Sequence, residues 1–166
     1  MKRYAVSLPV IALLLALVSC MNSGLSSTGN SSSSSSAASQ VWTLDFGPAY
    51  SGGPEEIAYV AIPPFTNSGA FSETSSSPGV YMYNNDRSCS YRLTIGGNVF
   101  HNGANDTWQF VGMAGAGCGM QTMGSGGGNA MGAYPNATSV KGTVTLTTQS
   151  SLPTNTGTFT WTGIRQ

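Results

Sequence analysis

Charge is scarce in this 166-residue chain, which carries six lysines and arginines, six aspartates and glutamates, and one histidine. No basic cluster forms, so nucleic acid has no electrostatic foothold. The three cysteines are widely spaced, and Cys89 with Cys118 supplies no zinc ligand set. No apolar run reaches the roughly 20 residues that a membrane-spanning helix needs. Apolar residues at helical spacing are missing as well, which removes amphipathic helices from the expected elements. Gly-x-Ser-x-Gly, His-Glu-x-x-His and a phosphate-cradling glycine loop with its lysine are all absent. No catalytic residue, metal ligand or cofactor is therefore assigned, and the leading expectation is a non-enzymatic protein.

What is present begins at the N-terminus. Met1-Lys2-Arg3 precedes an apolar stretch from Ala5 to Val18, and Leu17-Val18-Ser19-Cys20 closes it. Two cations, a short apolar run and a small-residue ending have the form of a secretory signal. The ending resembles the lipobox of bacterial lipoproteins, in which cleavage falls just before the cysteine. That resemblance covers residues 1–20 only. It implies a signal peptide over 1–19 and a mature chain that starts at Cys20, with diacylglycerol on the sulfur and an acyl chain such as palmitate on the amine. It also implies a location in the bacterial cell envelope, held to the membrane by lipid. An aspartate directly after the cysteine commonly retains such proteins in the inner membrane; Met21 stands there instead, which favours the outer membrane.

Residues 20–40 continue as a Ser-, Gly- and Asn-rich tether with serine unbroken from Ser31 to Ser36. Such a segment has almost no apolar surface to bury. Residues 41–166 have the size of one domain and can bury a core. Its cations Arg87, Arg92, Lys141 and Arg165 face six anions, Asp45, Glu55, Glu56, Glu73, Asp86 and Asp106. Cys89 and Cys118, an even pair in an exported domain, are expected to form a disulfide.

Alternation of period two dominates that domain. Strands are expected at Val41–Phe46, Glu56–Ile62, Gly79–Tyr83, Cys89–Ile95, Asn98–His101, Asp106–Val111, Val140–Thr148 and Gly157–Ile164. Gly96-Gly97 reads as a hairpin turn, and Leu152-Pro153-Thr154-Asn155 as a loop. The expected core is Trp42, Leu44, Phe46, Leu93, Ile95, Trp108, Phe110, Val144, Leu146, Phe159 and Trp161. Together these predict an all-β fold, a single antiparallel sandwich or small barrel. Gly112 to Gly132, nearly half glycine, reads as a long loop, because glycine weakens strand interiors.

Tyr81 and Tyr83 share one strand face and form a candidate binding face for a sugar or a protein partner in the envelope. A copper alternative rests on Met113, Met120 and Met123 with His101, since thioethers are soft donors for Cu(I). A second alternative is an envelope hydrolase built on His101, Asp106 and a serine. Glu55-Glu56 makes a poor acid–base dyad, because neighbours in a strand face opposite sides. The sequons at Asn105 and Asn136 carry no meaning behind a bacterial leader.

Overall fold

The computed structural model describes residues 38–150 and 156–166. The leader, the lipobox, most of the tether and the expected loop at Leu152–Asn155 lie outside them. The described chain is all β. In order it forms β1 (Gln40–Pro48), β2 (Glu55–Ile62), β3 (Ser68–Glu73), β4 (Val80–Tyr83), β5 (Ser90–Leu93), β6 (Gly96–Asn102), β7 (Asn105–Gly117), β8 (Met120–Met131), β9 (Ser139–Ser150) and β10 (Thr156–Arg165). Eight of these close an antiparallel barrel in the order β1-β10-β9-β8-β7-β6-β3-β2, and β4 pairs with β5 as a separate ribbon. Closure removes the exposed sheet edges that an open sheet would present.

The period-two pattern fixes which residues fill the interior. Trp42 and Leu44 of β1, Ala58, Val60 and Ile62 of β2, Trp108 and Phe110 of β7, and Val140, Val144 and Leu146 of β9 are all buried. Between them stand outward polar residues such as Thr143, Thr145 and Thr147, which β-branching suits to strands. Trp108 is the hub, with ring centroids 5.1 Å from Trp42, 4.9 Å from Phe71 and 6.0 Å from Trp161. Tilted and edge-on pairs of this kind contribute about 0.5–1.5 kcal/mol each beyond the area they bury.

Two of the expected core residues stand elsewhere. Phe46 is half-buried at the core margin, and Phe159 is 41% exposed. Phe159 shares the inward row of β10 with buried Trp161 but sits at the barrel end, where that row runs out.

The glycine-rich segment is not a loop. Most of Gly112–Gly132 is the second half of β7 and the whole of β8, turning only at Cys118-Gly119. Several of its glycines lie where a neighbouring group packs closely over them. A Cβ on Gly115 would stand 2.5 Å from the Arg92 carbonyl oxygen, and one on Gly117 would stand 2.5 Å from Tyr91 Cβ. On β8 a Cβ at Gly128 would come within 2.7 Å of the Trp161 ring. Close approach of a neighbour explains strand glycines that propensity alone disfavours.

Gly96-Gly97 is likewise inside a strand. It opens β6, pairing with Ser72 and Phe71 of β3, a strand not foreseen from the sequence. A Cβ on Gly97 would lie 2.1 Å from the Gln109 carbonyl oxygen and 2.6 Å from the Phe71 ring.

Candidate functional site

The barrel has two distinguishable ends. At one end β1 starts, β2 finishes and β7 starts. At the other end β1 finishes, β2 starts and the β7–β8 turn lies. Beyond the limits of β3 and β6 at this second end, the β4–β5 ribbon bridges the gap. Gly79 N–H donates to the Ile57 carbonyl of β2 at 3.1 Å, and Thr94 exchanges hydrogen bonds with Ala114 of β7 at 2.7 and 3.2 Å. β5 leans over the inward glycines of β7. Tyr91 continues the contact by hydrogen bonding Thr122 at 2.6 Å, and Thr122 bonds Thr148 at 2.8 Å, all three buried. Cys89 and Cys118, with sulfurs 2.00 Å apart, fasten the ribbon to the β7–β8 turn as the sequence suggested.

The ribbon closes only part of this end. The remainder is a mouth lined by Phe46, Val80, Met113, Val144, Leu146 and Phe159, around a cavity of about 60 Å³. One ionisable side chain enters it. Glu56, only 5% exposed, occupies the first inward position of β2, and its Oε2 accepts a hydrogen bond from the Tyr81 N–H. Burial holds its carboxyl above the ordinary glutamate range, partly offset by that backbone donor. The sequence rule that Glu55 and Glu56 face opposite sides holds, with Glu55 outside. It does not say which of the two points inward. That follows from the phase of Ala58, Val60 and Ile62.

Beside the mouth lies a second, more polar cleft of about 280 Å³, lined by Ala49, Tyr50, Tyr81, Met82, Tyr83, Asn84, Asn85 and Arg87. Tyr50 and Tyr83 meet edge to face at 5.4 Å. The Arg87 guanidinium lies 4.0 Å above the Tyr50 ring, a cation–π contact that fixes both groups. Asn84 and Asp86 order the turn that carries them. Asn84 accepts from the Cys89 N–H, and Asp86 accepts from the Ser88 N–H and hydroxyl. These bonds hold the Asp86 carboxyl below its ordinary range. Tyr81 and Tyr83 thus line one cleft, while Tyr50 and Arg87 join them from residues the sequence did not single out. A positive φ of 61° at Arg87 places it in the left-handed region, a conformation with no signature in the local sequence.

His101 and Asp106 do come together, at the opposite end. His101 Nδ1 lies 2.5 Å from Asp106 Oδ1 across the β6–β7 turn. Asp106 is 2% exposed, and its Oδ2 accepts from the Tyr134 N–H at 2.7 Å. Phe65 packs between the two rings, 4.8 Å from His101 and 4.5 Å from Tyr134. No serine hydroxyl is hydrogen bonded to His101 among the described residues; through the Tyr134 N–H, Asp106 ties down the β8–β9 connection. The soft donors are dispersed. Met113 is buried, Met120 half-buried, and Met123 is 58% exposed on the other face of β8. Asp106, opposite His101, and Met113 are separated along β7 by about 20 Å at ~3.3 Å per residue. Among the described residues no three His, Cys, Asp or Glu side chains gather as a metal site.

Set against protein families, curated proteins and solved structures, the chain matches none of them.

Proposed function

We propose that this chain is a lipid-anchored protein of the bacterial cell envelope, in the outer membrane, whose barrel is a non-enzymatic binding module for glycan. The observation that carries the binding assignment is the cleft of Tyr50, Tyr81 and Tyr83 beside Asn84, Asn85 and Arg87. Tyrosine rings offer apolar faces to the C–H surface of a sugar ring and a hydroxyl at the edge. Asparagine supplies a donor and an acceptor together, and arginine a fixed fork of donors, which together suit neighbouring sugar hydroxyls. A concave surface with a few convergent polar groups is the usual form of a ligand site. The anchor rests on Lys2-Arg3, the apolar run and the lipobox-like Leu17-Val18-Ser19-Cys20.

Binding of the purified full chain to an array of envelope glycans, followed by calorimetry on the retained sugar, tests this proposal. Tyr83→Ala and Tyr50→Ala should each weaken binding by about tenfold while leaving the melting temperature within a few degrees. A chain that retains no glycan, or alanine variants that bind as well as the parent, would remove the proposal.

A further inference from the structure

We propose that the barrel mouth is a second site, adjoining the tyrosine cleft, that takes a small alkylammonium ligand whose ammonium pairs with Glu56 and whose alkyl group enters between Met113, Leu146 and Phe159. It goes beyond the glycan cleft and does not depend on it.

The argument starts from position. Every other inward side chain of β2 is apolar, and the one carboxylate stands where the row opens into the mouth. Tyr81 N–H occupies Oε2, while Oε1 has no hydrogen bond among the described residues. The cations nearest in the fold are committed elsewhere. Arg92 is paired with Glu73 at 2.7 Å, and Arg87 lies over Tyr50. Lys141 and Arg165 stand opposite Thr162 and Trp42 on the barrel wall. A buried carboxylate without a cation is costly, and burial raises the carboxyl above the ordinary glutamate range. An incoming ammonium supplies the missing charge and several N–H donors at once.

Size and lining select the rest of the ligand. A cavity of about 60 Å³ is less than half the roughly 150 Å³ that accommodates benzene. A short, flexible alkyl chain suits so small a cavity better than a rigid ring joined to an ammonium. Phe159, inward-facing yet 41% exposed, is the side chain such a ligand would cover. A neutral alcohol of the same length would gain the apolar contacts without the charge pair, which separates the two terms experimentally.

The test titrates the purified full chain with n-butylammonium chloride, n-butanol and benzylammonium chloride, with sodium chloride as the ionic-strength control, read by NMR shifts and calorimetry. Saturable butylammonium binding should exceed butanol binding by at least tenfold, with benzylammonium weaker than butylammonium. Shifts should concentrate at Glu56, Tyr81, Met113 and Phe159. Glu56→Gln, which keeps an acceptor for Tyr81, should abolish the preference for the ammonium over the alcohol. Phe159→Ala should weaken both about equally. Equal affinity for butanol and butylammonium in the unaltered chain, shifts elsewhere on the barrel, or no saturable binding would each overturn the proposal without any variant having to fold. Tyr83→Ala, which alters the tyrosine cleft and not the mouth, should leave butylammonium binding unchanged, so the two sites fail or stand separately.

Discussion

Replacing Gly115 with alanine should destabilise the barrel although a β-carbon normally favours a strand. The intrinsic change from glycine to alanine inside a strand is worth about 0.5–1 kcal/mol in favour of alanine. Against it stands a Cβ placed 2.5 Å from the Arg92 carbonyl oxygen and 2.8 Å from Leu93 Cδ2. A backbone oxygen cannot rotate away. β5 is held by its ladder to β4, by the Thr94–Ala114 bridge and by the Cys89–Cys118 bond. Overpacking in such a setting costs about 1–3 kcal/mol, leaving a net loss of roughly 1–2 kcal/mol. For a domain of this size that lowers the melting temperature by about 3–12 °C. Gly112 in the same strand is the matched control, because its Cβ would meet nothing closer than 3.9 Å. Gly112→Ala should be neutral or stabilising by up to about 1 kcal/mol. Removing the disulfide should lessen the Gly115→Ala penalty, because β5 is then freer to retreat. Chemical unfolding of the two variants, with and without Cys89→Ser and Cys118→Ser together, measures all three terms. Equal stability of Gly115→Ala and Gly112→Ala would refute the claim that these glycines exist to admit the ribbon.

Three other outcomes are expected. Opening the Cys89–Cys118 bond, with its sequence separation of 29, should cost about 3–4 kcal/mol by loop-closure entropy; denaturant midpoints of oxidised and reduced chain check it, and equal midpoints would exclude a stabilising staple. Because burial raises the Glu56 carboxyl in the folded state, the native chain keeps a proton that the unfolded chain has lost, so this group's contribution is most favourable below the unfolded range near ~4.3 and falls as pH rises through the folded value. Glu56→Gln should therefore raise the melting temperature at pH 7 and give little change at pH 4, whereas a loss of stability at pH 7 would contradict that sign. Cys20→Ser should abolish palmitate labelling and move the chain from the detergent phase to the aqueous phase, since two or three acyl chains anchor firmly where none remain to do so; unchanged labelling would eliminate the lipobox assignment.

The all-β architecture was legible because period-two alternation depends only on which side of a strand water touches. Trp42, Leu44, Trp108, Phe110 and Trp161 declare the inner face by themselves. The glycine-rich half of β7 and β8 was illegible for the same reason. Its inward positions Gly115, Gly117 and Gly124 carry no side chain to mark a face, and the partner of the first two is a ribbon distant in sequence. Phe159 shows a different limit: periodicity gives the correct face but not the height along the barrel axis, and height decides between core and mouth. The site divides along similar lines. Tyr81 and Tyr83 could be paired by alternation, whereas Tyr50 and Arg87 reach them through two turns that only the closed fold brings together.

The barrel's polarity gives the two candidate sites a common sense. β1 begins at Gln40, where the tether would join, and reaches the mouth only at Phe46–Pro48. At ~3.3 Å per residue that is about 20–26 Å along the strand. The end at which β1 begins is tied down by groups with structural partners. Arg165 donates to the Pro135 carbonyl, Gln166 donates to Thr43 at 2.8 Å, and Asp106 is shared between His101 and Tyr134. The other end carries the buried carboxylate, the inward but exposed Phe159 and the stacked Tyr50–Arg87 pair. Both candidate sites lie at the end farthest from the point where β1 begins, so they and the first residue of β1 stand at opposite ends of the barrel. Gln166 stands at the end where β1 begins, because β10 finishes there and the Gln166 N–H donates to the Val41 carbonyl at 2.9 Å, so both described ends of the barrel wall lie away from the candidate sites.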